Sequence, residues 1–137
     1  MKLLFLAVVM VCSVQYSVQR AQPLEGDDTT IMDCIMSAAD ELGLDRIQGG
    51  AEWLVELRFT VEDLVNGRRR CQEMTNDRLR DACMLTWRAQ VLLEAARLAN
   101  DLRTITNDED AMQFYNDFLA CFGVEPSPDD PPYPPVE

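Results

Sequence analysis

Beyond its first two dozen residues the chain has four cysteines and neither histidine nor lysine. Four cysteines in a short helical chain that carries a secretion signal are typical of two disulfide bonds. The missing histidine removes the side chain that most often serves as a catalytic acid–base group or a metal ligand. The sequence therefore predicts a disulfide-bonded binding or structural protein, without a cofactor or a metal, rather than an enzyme.

The N-terminal residues have the layout of a secretory signal peptide, with Lys2 followed by an apolar run that ends near Ser13. The run is about ten residues long, whereas a membrane-spanning helix needs about 20. Residues 1–21 are therefore predicted to be a signal peptide, with or without a short pro-segment. We expect the mature protein to be secreted and extracellular, with no transmembrane segment.

The charge of the mature chain limits its partners. Without Lys2, eleven arginines face 24 acidic residues, which leaves thirteen negative charges in excess. Nucleic acids and anionic lipid surfaces attract positively charged proteins, so both are excluded as expected partners. A cationic partner, calcium or simple solubility remains open as the reason for this charge. On other grounds, given below, the expected partner is a small apolar ligand or lipid, or a protein.

Apolar residues recur at helical spacing through most of the chain, which predicts an all-α fold. Residues 22–29 are expected to be a flexible lead-in to a first helix over 30–42. The second helix starts at 51, with a kink or a restart near Thr60, and a turn at Asn66 and Gly67 separates it from a short helical piece over 68–74. A brief strand over residues 53–59 stays open as an alternative.

The two C-terminal helices have clear end signals. Thr75 or Asn76 is expected to cap the longest helix, which ends at 105 and is apolar over so wide an arc that several other helices should contact it. Asn107 caps the last helix, and Gly123 ends it. We predict a single helical domain over 30–123, a bundle of four to five helices held by disulfides.

The remaining residues, 124–137, contain six of the seven prolines and no apolar period. Such a composition predicts an acidic, proline-rich, disordered tail.

The cysteine spacing leaves three disulfide connectivities open, and the absence of paired CxxC motifs gives a zinc site little support. Cys71 and Cys83 lie at similar distances from the expected turn near 75–76, so an antiparallel helical pair would bring them together. The geometry therefore favours Cys71–Cys83, which leaves Cys34–Cys121 to join the first helix to the last.

An aromatic and methionine-rich set could line a cavity for an apolar ligand. The alternative is that these side chains only fill the core. The candidate lining residues are Trp53, Phe59, Met84, Trp87, Val91, Met112, Tyr115 and Phe118.

Two families share features with the chain. The signal peptide, the acidity and the disulfide-bonded helices resemble insect odorant-binding proteins, which place two cysteines three residues apart, whereas eleven residues separate Cys71 from Cys83 here. The stretch from Thr106 to Cys121 is similar to the last helix of tick antimicrobial proteins of the microplusin type. Those proteins sequester copper through histidines, which this chain lacks.

The leading hypothesis is a secreted, non-enzymatic helical binding protein that carries a small apolar ligand or lipid in its core. A first alternative is a secreted effector, such as a venom, salivary or defence protein, that contacts another protein through its surface. That alternative predicts a contiguous exposed apolar or charged patch. A second alternative is a structural component of an extracellular matrix or silk.

Overall fold

The computed structural model describes residues 23–130 and Tyr133, and these residues form an all-α fold without strands. Residues 1–21, the predicted signal peptide, lie outside the described residues, as do 22, 131–132 and 134–137. The described elements are α1 (Pro23–Asp40), a 3₁₀ turn (Leu44–Arg46), α2 (Gly50–Gln72), α3 (Asp77–Ile105) and α4 (Asp108–Phe122). The chain divides into two compact units after Ile31, and the second, Met32–Glu137, holds α2, α3, α4 and the cysteines Cys34, Cys71, Cys83 and Cys121.

Local capping signals set the ends of α3 and α4. The Asn76 side chain accepts a hydrogen bond from the Leu79 N–H at 3.0 Å, and Asn107 accepts one from the Asp110 N–H at 2.7 Å. Gly123 ends α4 with a φ of 71°, a left-handed conformation that glycine adopts without steric cost. The bounds predicted for these two helices are confirmed.

The predicted bounds of the first two helices are wrong. α1 begins at Pro23 rather than Thr30, and proline suits the first position of a helix because its fixed φ is already helical. α2 continues through Thr60 and through Asn66 and Gly67, where a restart and a turn were expected. Residues 68–74 are therefore not a separate helix, because packing against α3 overrides the weak local preference for a turn.

α2 and α3 form an antiparallel hairpin whose register is fixed by two tryptophans. The indole N–H of Trp53 on α2 donates to the carbonyl of Leu98 at 3.0 Å, and that of Trp87 on α3 donates to the carbonyl of Leu64 at 2.7 Å. Both indoles are buried, and a buried N–H without a partner is costly. Sliding the helices past one another would break both bonds.

Aromatic rings from α4 fill the space between these tryptophans. Phe114, Phe118 and Phe122 repeat every four residues and therefore share one face of α4. Phe114 meets Trp53 edge-on at 4.9 Å, and Phe122 meets Trp87 edge-on at 5.8 Å. Edge-to-face contacts are a favourable arrangement of aromatic rings, so the interior at this level is packed with side chains.

Two disulfides connect the helices. Cys34 on α1 is bonded to Cys121 on α4, with their Cα atoms 5.8 Å apart. Cys71 at the end of α2 is bonded to Cys83 near the start of α3, with Cα atoms 5.4 Å apart. These are the two pairs that the cysteine spacing favoured.

Residues 124–130 form neither helix nor strand, and they fold back on α3. Val124 is buried, and the Arg88 guanidinium donates to the Glu125 carbonyl and to both carboxylate oxygens of Asp130, at 3.2 and 2.8 Å. Farther along, Tyr133 stacks on Tyr115 with ring centroids 4.5 Å apart. The disorder predicted for the rest of the tail stays a prediction.

Candidate functional site

Most of the predicted lining residues lie in the packed interior. Trp53, Val91, Tyr115 and Phe118 are buried, and Val91 and Phe118 have no exposed surface at all. Trp53 is held in place by its hydrogen bond to Leu98. The structure does not gather these four side chains around a common groove.

Of the other four predicted residues, Trp87 is also buried, Met84 is half-buried, and Phe59 and Met112 are exposed. Phe59 exposes 62% of its surface and Met112 37%. Met84 and Trp87 border a hollow of about 470 Å³ that Val124 closes on one side. Trp87 also reaches a second and larger depression.

That depression is an open groove of about 600 Å³ between α2 and α3, which we call the hairpin groove. Six of its residues come from each helix. On α2 they are Thr60, Asp63, Leu64, Gly67, Arg70 and Cys71, and on α3 they are Cys83, Thr86, Trp87, Gln90, Glu94 and Arg97.

The hairpin groove is long and has an apolar base. Buried Leu64 and Trp87 lie at its base. Gly67 leaves space there because it has no side chain. A Cβ atom at this position would occupy that space and contact Cδ1 of Trp87 at 3.5 Å. Along α3 the groove extends from Cys83 to Arg97, about 21 Å at 1.5 Å per residue. The Cys71–Cys83 disulfide closes one end.

A charged cluster, which we call the Arg97 cluster, closes the other end. The Arg97 guanidinium donates to Glu56 on α2, to Glu94 at 2.7 Å and to the Thr60 hydroxyl at 3.2 Å, and Asp101 lies 3.9 Å away. Burial lowers the pKa of Arg97, but the hydrogen bonds to Glu94 and Glu56 outweigh it and the net change is upward. Arg97 is therefore charged, and three carboxylates around one guanidinium leave two negative charges in excess.

The outer face of α3 continues the groove as an exposed apolar surface, which we call the α3 stripe. Its residues follow one another at steps of three and four, so they share one face of the helix. Leu85 exposes 70% of its surface and Leu93 64%. The α3 stripe consists of Leu79, Ala82, Leu85, Ala89 and Leu93.

The α3 stripe has few charged neighbours from Ala82 to Leu93, where the only charged residue is Arg88, whose guanidinium is engaged by Asp130. Its N-terminal end is charged, because Arg78 lies one turn before Ala82 and Asp81 one turn before Leu85. Leu93 lies one helical turn from Gln90, and Leu79 one turn from Cys83, so the α3 stripe borders the α3 wall of the hairpin groove. Phe59 borders the opposite wall, one turn from Asp63.

Of the residues at this site, the sequence predicted only Trp87 and Phe59. The wide apolar arc of α3 did indicate that this helix has apolar residues on more than one side. α2 and α4 cover one side of α3, through buried residues such as Trp87 and Leu98, and leave the Leu85 side uncovered. Gln90 and Arg97 carried no sequence signal, and Gly67 indicated only a turn, because the place of all three in the groove depends on how α2 is placed against α3.

The described residues contain no group of three or more histidine, cysteine or acidic side chains placed to hold a metal ion. None of the helices among them is long and apolar enough to cross a membrane.

The fold and its two bonds define a disulfide-bonded, all-α helical protein. Such bonds are typical of proteins in an oxidising, extracellular-type environment. Comparison of the chain with protein-family models, with curated proteins and with solved structures finds no match in any of the three.

Proposed function

We propose that this is a secreted, non-enzymatic binding protein that acts through its surface on another protein. The α3 stripe together with the hairpin groove forms the binding face. The observation that carries the proposal is the exposure of Leu79, Leu85 and Leu93, at 61%, 70% and 64%, on one face of a helix.

Single exposed leucines are common on soluble proteins and need no explanation. A contiguous row of them next to a groove is unusual, because it exposes apolar surface to water without a folding benefit. α3 packs against the rest of the protein through its opposite side, where Val91, Ala95 and Leu98 are fully buried. The exposed side is therefore available for a partner.

Site-specific photo-crosslinking tests this proposal. A benzophenone amino acid replaces Gln90, at the rim of the hairpin groove, in one variant and Gln113, exposed on α4, in the matched control. Both variants are incubated with the extracellular fluid into which the protein is secreted. We expect a discrete protein adduct from position 90 and none from position 113. The absence of an adduct at 90, or the same adducts at both positions, would contradict the proposal.

A small apolar ligand is the second candidate, favoured by the volume of the hairpin groove and by Trp87 at its base. Ligand sites in proteins usually enclose about 300–1,000 Å³, and about 600 Å³ lies in that range. Titration of the disulfide-intact protein with a fatty acid, followed by native mass spectrometry, tests this candidate. Saturable one-to-one binding that Gly67→Leu abolishes would support it, and the absence of saturable binding would eliminate it.

A further inference from the structure

We propose that the hairpin groove binds an amphipathic helix of a partner protein, with the cationic end of that helix lying over the Arg97 cluster. This inference rests on the proposed function and adds the shape and the charge of the partner.

The shape of the groove matches a helix. Two antiparallel helices leave a straight depression along their length, and a third helix lies naturally in such a depression, with its side chains between theirs. A length of about 21 Å corresponds to about four helical turns. Close approach needs small residues at the contact, and Gly67, Thr86, Ala82 and Ala89 lie along or beside the groove.

The apolar surfaces define one face of the partner. Leu64 and Trp87 lie at the base, and Phe59 on the α2 side and Leu93 on the α3 side border the groove. A helix with apolar residues at i, i+3, i+4 and i+7 would place them along the base and between these two borders. Its opposite face would remain in water.

The charges along the groove define the orientation in which the partner helix would bind. At one end the Arg97 cluster has two negative charges in excess. Asp63 on α2 adds an exposed carboxylate near the middle of the groove, because the register of the two helices places it level with Arg88. At the disulfide end the lining charge is the guanidinium of Arg70. A helix with lysine or arginine at one end and no excess positive charge at the other is complementary in one orientation only. The strongly negative net charge, −12 for the full chain, steers such a cation toward the protein.

A second copy of this chain is a poorer occupant. It would bring the same excess of acidic residues toward the Arg97 cluster, and two strongly acidic molecules repel each other.

Synthetic peptides test the proposal on the full mature protein with its disulfides intact. The probe is a fluorescein-labelled 16-residue peptide with leucines at helical spacing and three lysines in its last turn. One control peptide has the same composition in scrambled order, and another has glutamates in place of the lysines. Fluorescence anisotropy at physiological ionic strength gives the affinities, and sedimentation gives the stoichiometry. We expect one-to-one binding of the probe and affinities at least about tenfold lower for both controls.

A pair of protein variants locates the binding. Leu93→Gln removes an exposed apolar side chain beside the groove, and Met112→Gln removes one on α4. Both side chains are exposed, so both variants should fold, and circular dichroism checks this. We expect Leu93→Gln to weaken binding at least about fivefold and Met112→Gln to leave it unchanged.

Several results would overturn the proposal. Equal binding of the scrambled peptide would show that composition, not helical amphipathicity, is recognised, and equal binding of the glutamate peptide would remove the role of the Arg97 cluster. Self-association that Leu93→Gln abolishes would make a second copy the occupant. If the crosslink at position 90 forms but no peptide binds, the proposed function stands and this inference fails. If neither the crosslink nor peptide binding occurs, both the proposed function and this inference fail.

Discussion

Two glycines of α2 differ in whether their surroundings leave room for a side chain. Gly50 begins the helix, and a Cβ atom there would overlap the backbone carbonyl of Leu44 in the 3₁₀ turn. Gly67 lies in the interior of the helix, where a Cβ would meet Trp87 at an ordinary contact distance of 3.5 Å. The first glycine is required by the close approach of two backbones, whereas the second lowers helix stability and leaves space in the hairpin groove.

Alanine at the two positions should therefore have opposite effects. Gly67→Ala should raise the free energy of unfolding by about 0.5–1 kcal/mol, since alanine has the higher helix propensity. Gly50→Ala should lower it by about 1–3 kcal/mol, because the backbone must shift to relieve the overlap. Urea denaturation followed by circular dichroism measures both. A loss of stability in Gly67→Ala would show that this glycine has a structural role in the helical packing.

The contact between Arg88 and Asp130 fixes the C-terminal segment against α3. Hydrogen bonds from the Arg88 side chain, and then from the Ser127 backbone N–H, lower the pKa of Asp130 from 3.8 to about 2. Because the folded-state pKa lies below the ordinary value, the contribution of this carboxylate to docking is complete above pH 3.8. It is lost as the pH falls toward 2.

We expect the Asp130 carboxyl to titrate near pH 2 in the intact protein, as measured by its ¹³C chemical shift. Arg88→Gln removes the largest cause of the shift and should move the midpoint up toward 3.8. The Tyr115 and Tyr133 ring signals show whether the segment detaches at the same pH. A midpoint near 3.8 in the unsubstituted protein would contradict the contact.

At the scale of the elements, the ends of α3 and α4 could be predicted from sequence because they depend on nearby residues. Asn76 and Asn107 bond to N–H groups three residues later, and Gly123 adopts its left-handed conformation locally. The continuity of α2 through Gly67 could not be predicted, because it depends on the packing of α2 against α3 rather than on nearby residues. Nearby residues determine where a helix ends, whereas packing against other helices determines whether a weak helix breaker such as Gly67 interrupts it.

The two disulfides should differ in their contribution to stability. The Cys34–Cys121 bond joins residues 87 apart in sequence, and the Cys71–Cys83 bond joins residues 12 apart. A crosslink that closes a longer loop removes more entropy from the unfolded chain. The longer loop also contains all of α2 and α3, so its closure restrains most of the helical fold.

Paired alanine substitutions test this difference. Removing Cys71–Cys83 should lower the free energy of unfolding by about 3 kcal/mol, and removing Cys34–Cys121 by about 4–5 kcal/mol. Chemical denaturation of the two double variants and of the intact protein measures both losses. An equal or larger loss from the shorter loop would mean that local packing around Cys71 and Cys83, not loop entropy, dominates their contribution.

At the scale of the whole molecule, the sequence predicted the class of fold but not the face that we propose for binding. The candidate lining residues were chosen because they are aromatic or sulfur-containing, a property that core residues and binding residues share. Phe118 and Val91 proved to be core residues, whereas Phe59 lies on the surface beside the hairpin groove. Which side of α3 is covered depends on the placement of α2 and α4, and no local pattern encodes that placement.

The molecule combines a packed interior with an exposed row of leucines on the outer face of α3. Two tryptophans and three phenylalanines pack ring against ring between the helices, and two disulfides limit how far those helices can separate. A partner that binds such a preorganised surface loses little affinity to conformational adjustment of this protein. We therefore expect the hairpin groove to keep its geometry when it is occupied.

The central claim is that the outer face of the α2–α3 hairpin is the binding surface, and mapping of backbone amide chemical shifts tests it most directly. The ¹⁵N-labelled protein is titrated with the lysine-ended amphipathic peptide. We predict the largest shifts along the hairpin groove, from Thr60 to Cys71 and from Cys83 to Arg97, with little change at Met112 and Gln113 on α4. Shifts centred on α4 or on the C-terminal segment, or no saturable shift anywhere, would contradict the claim.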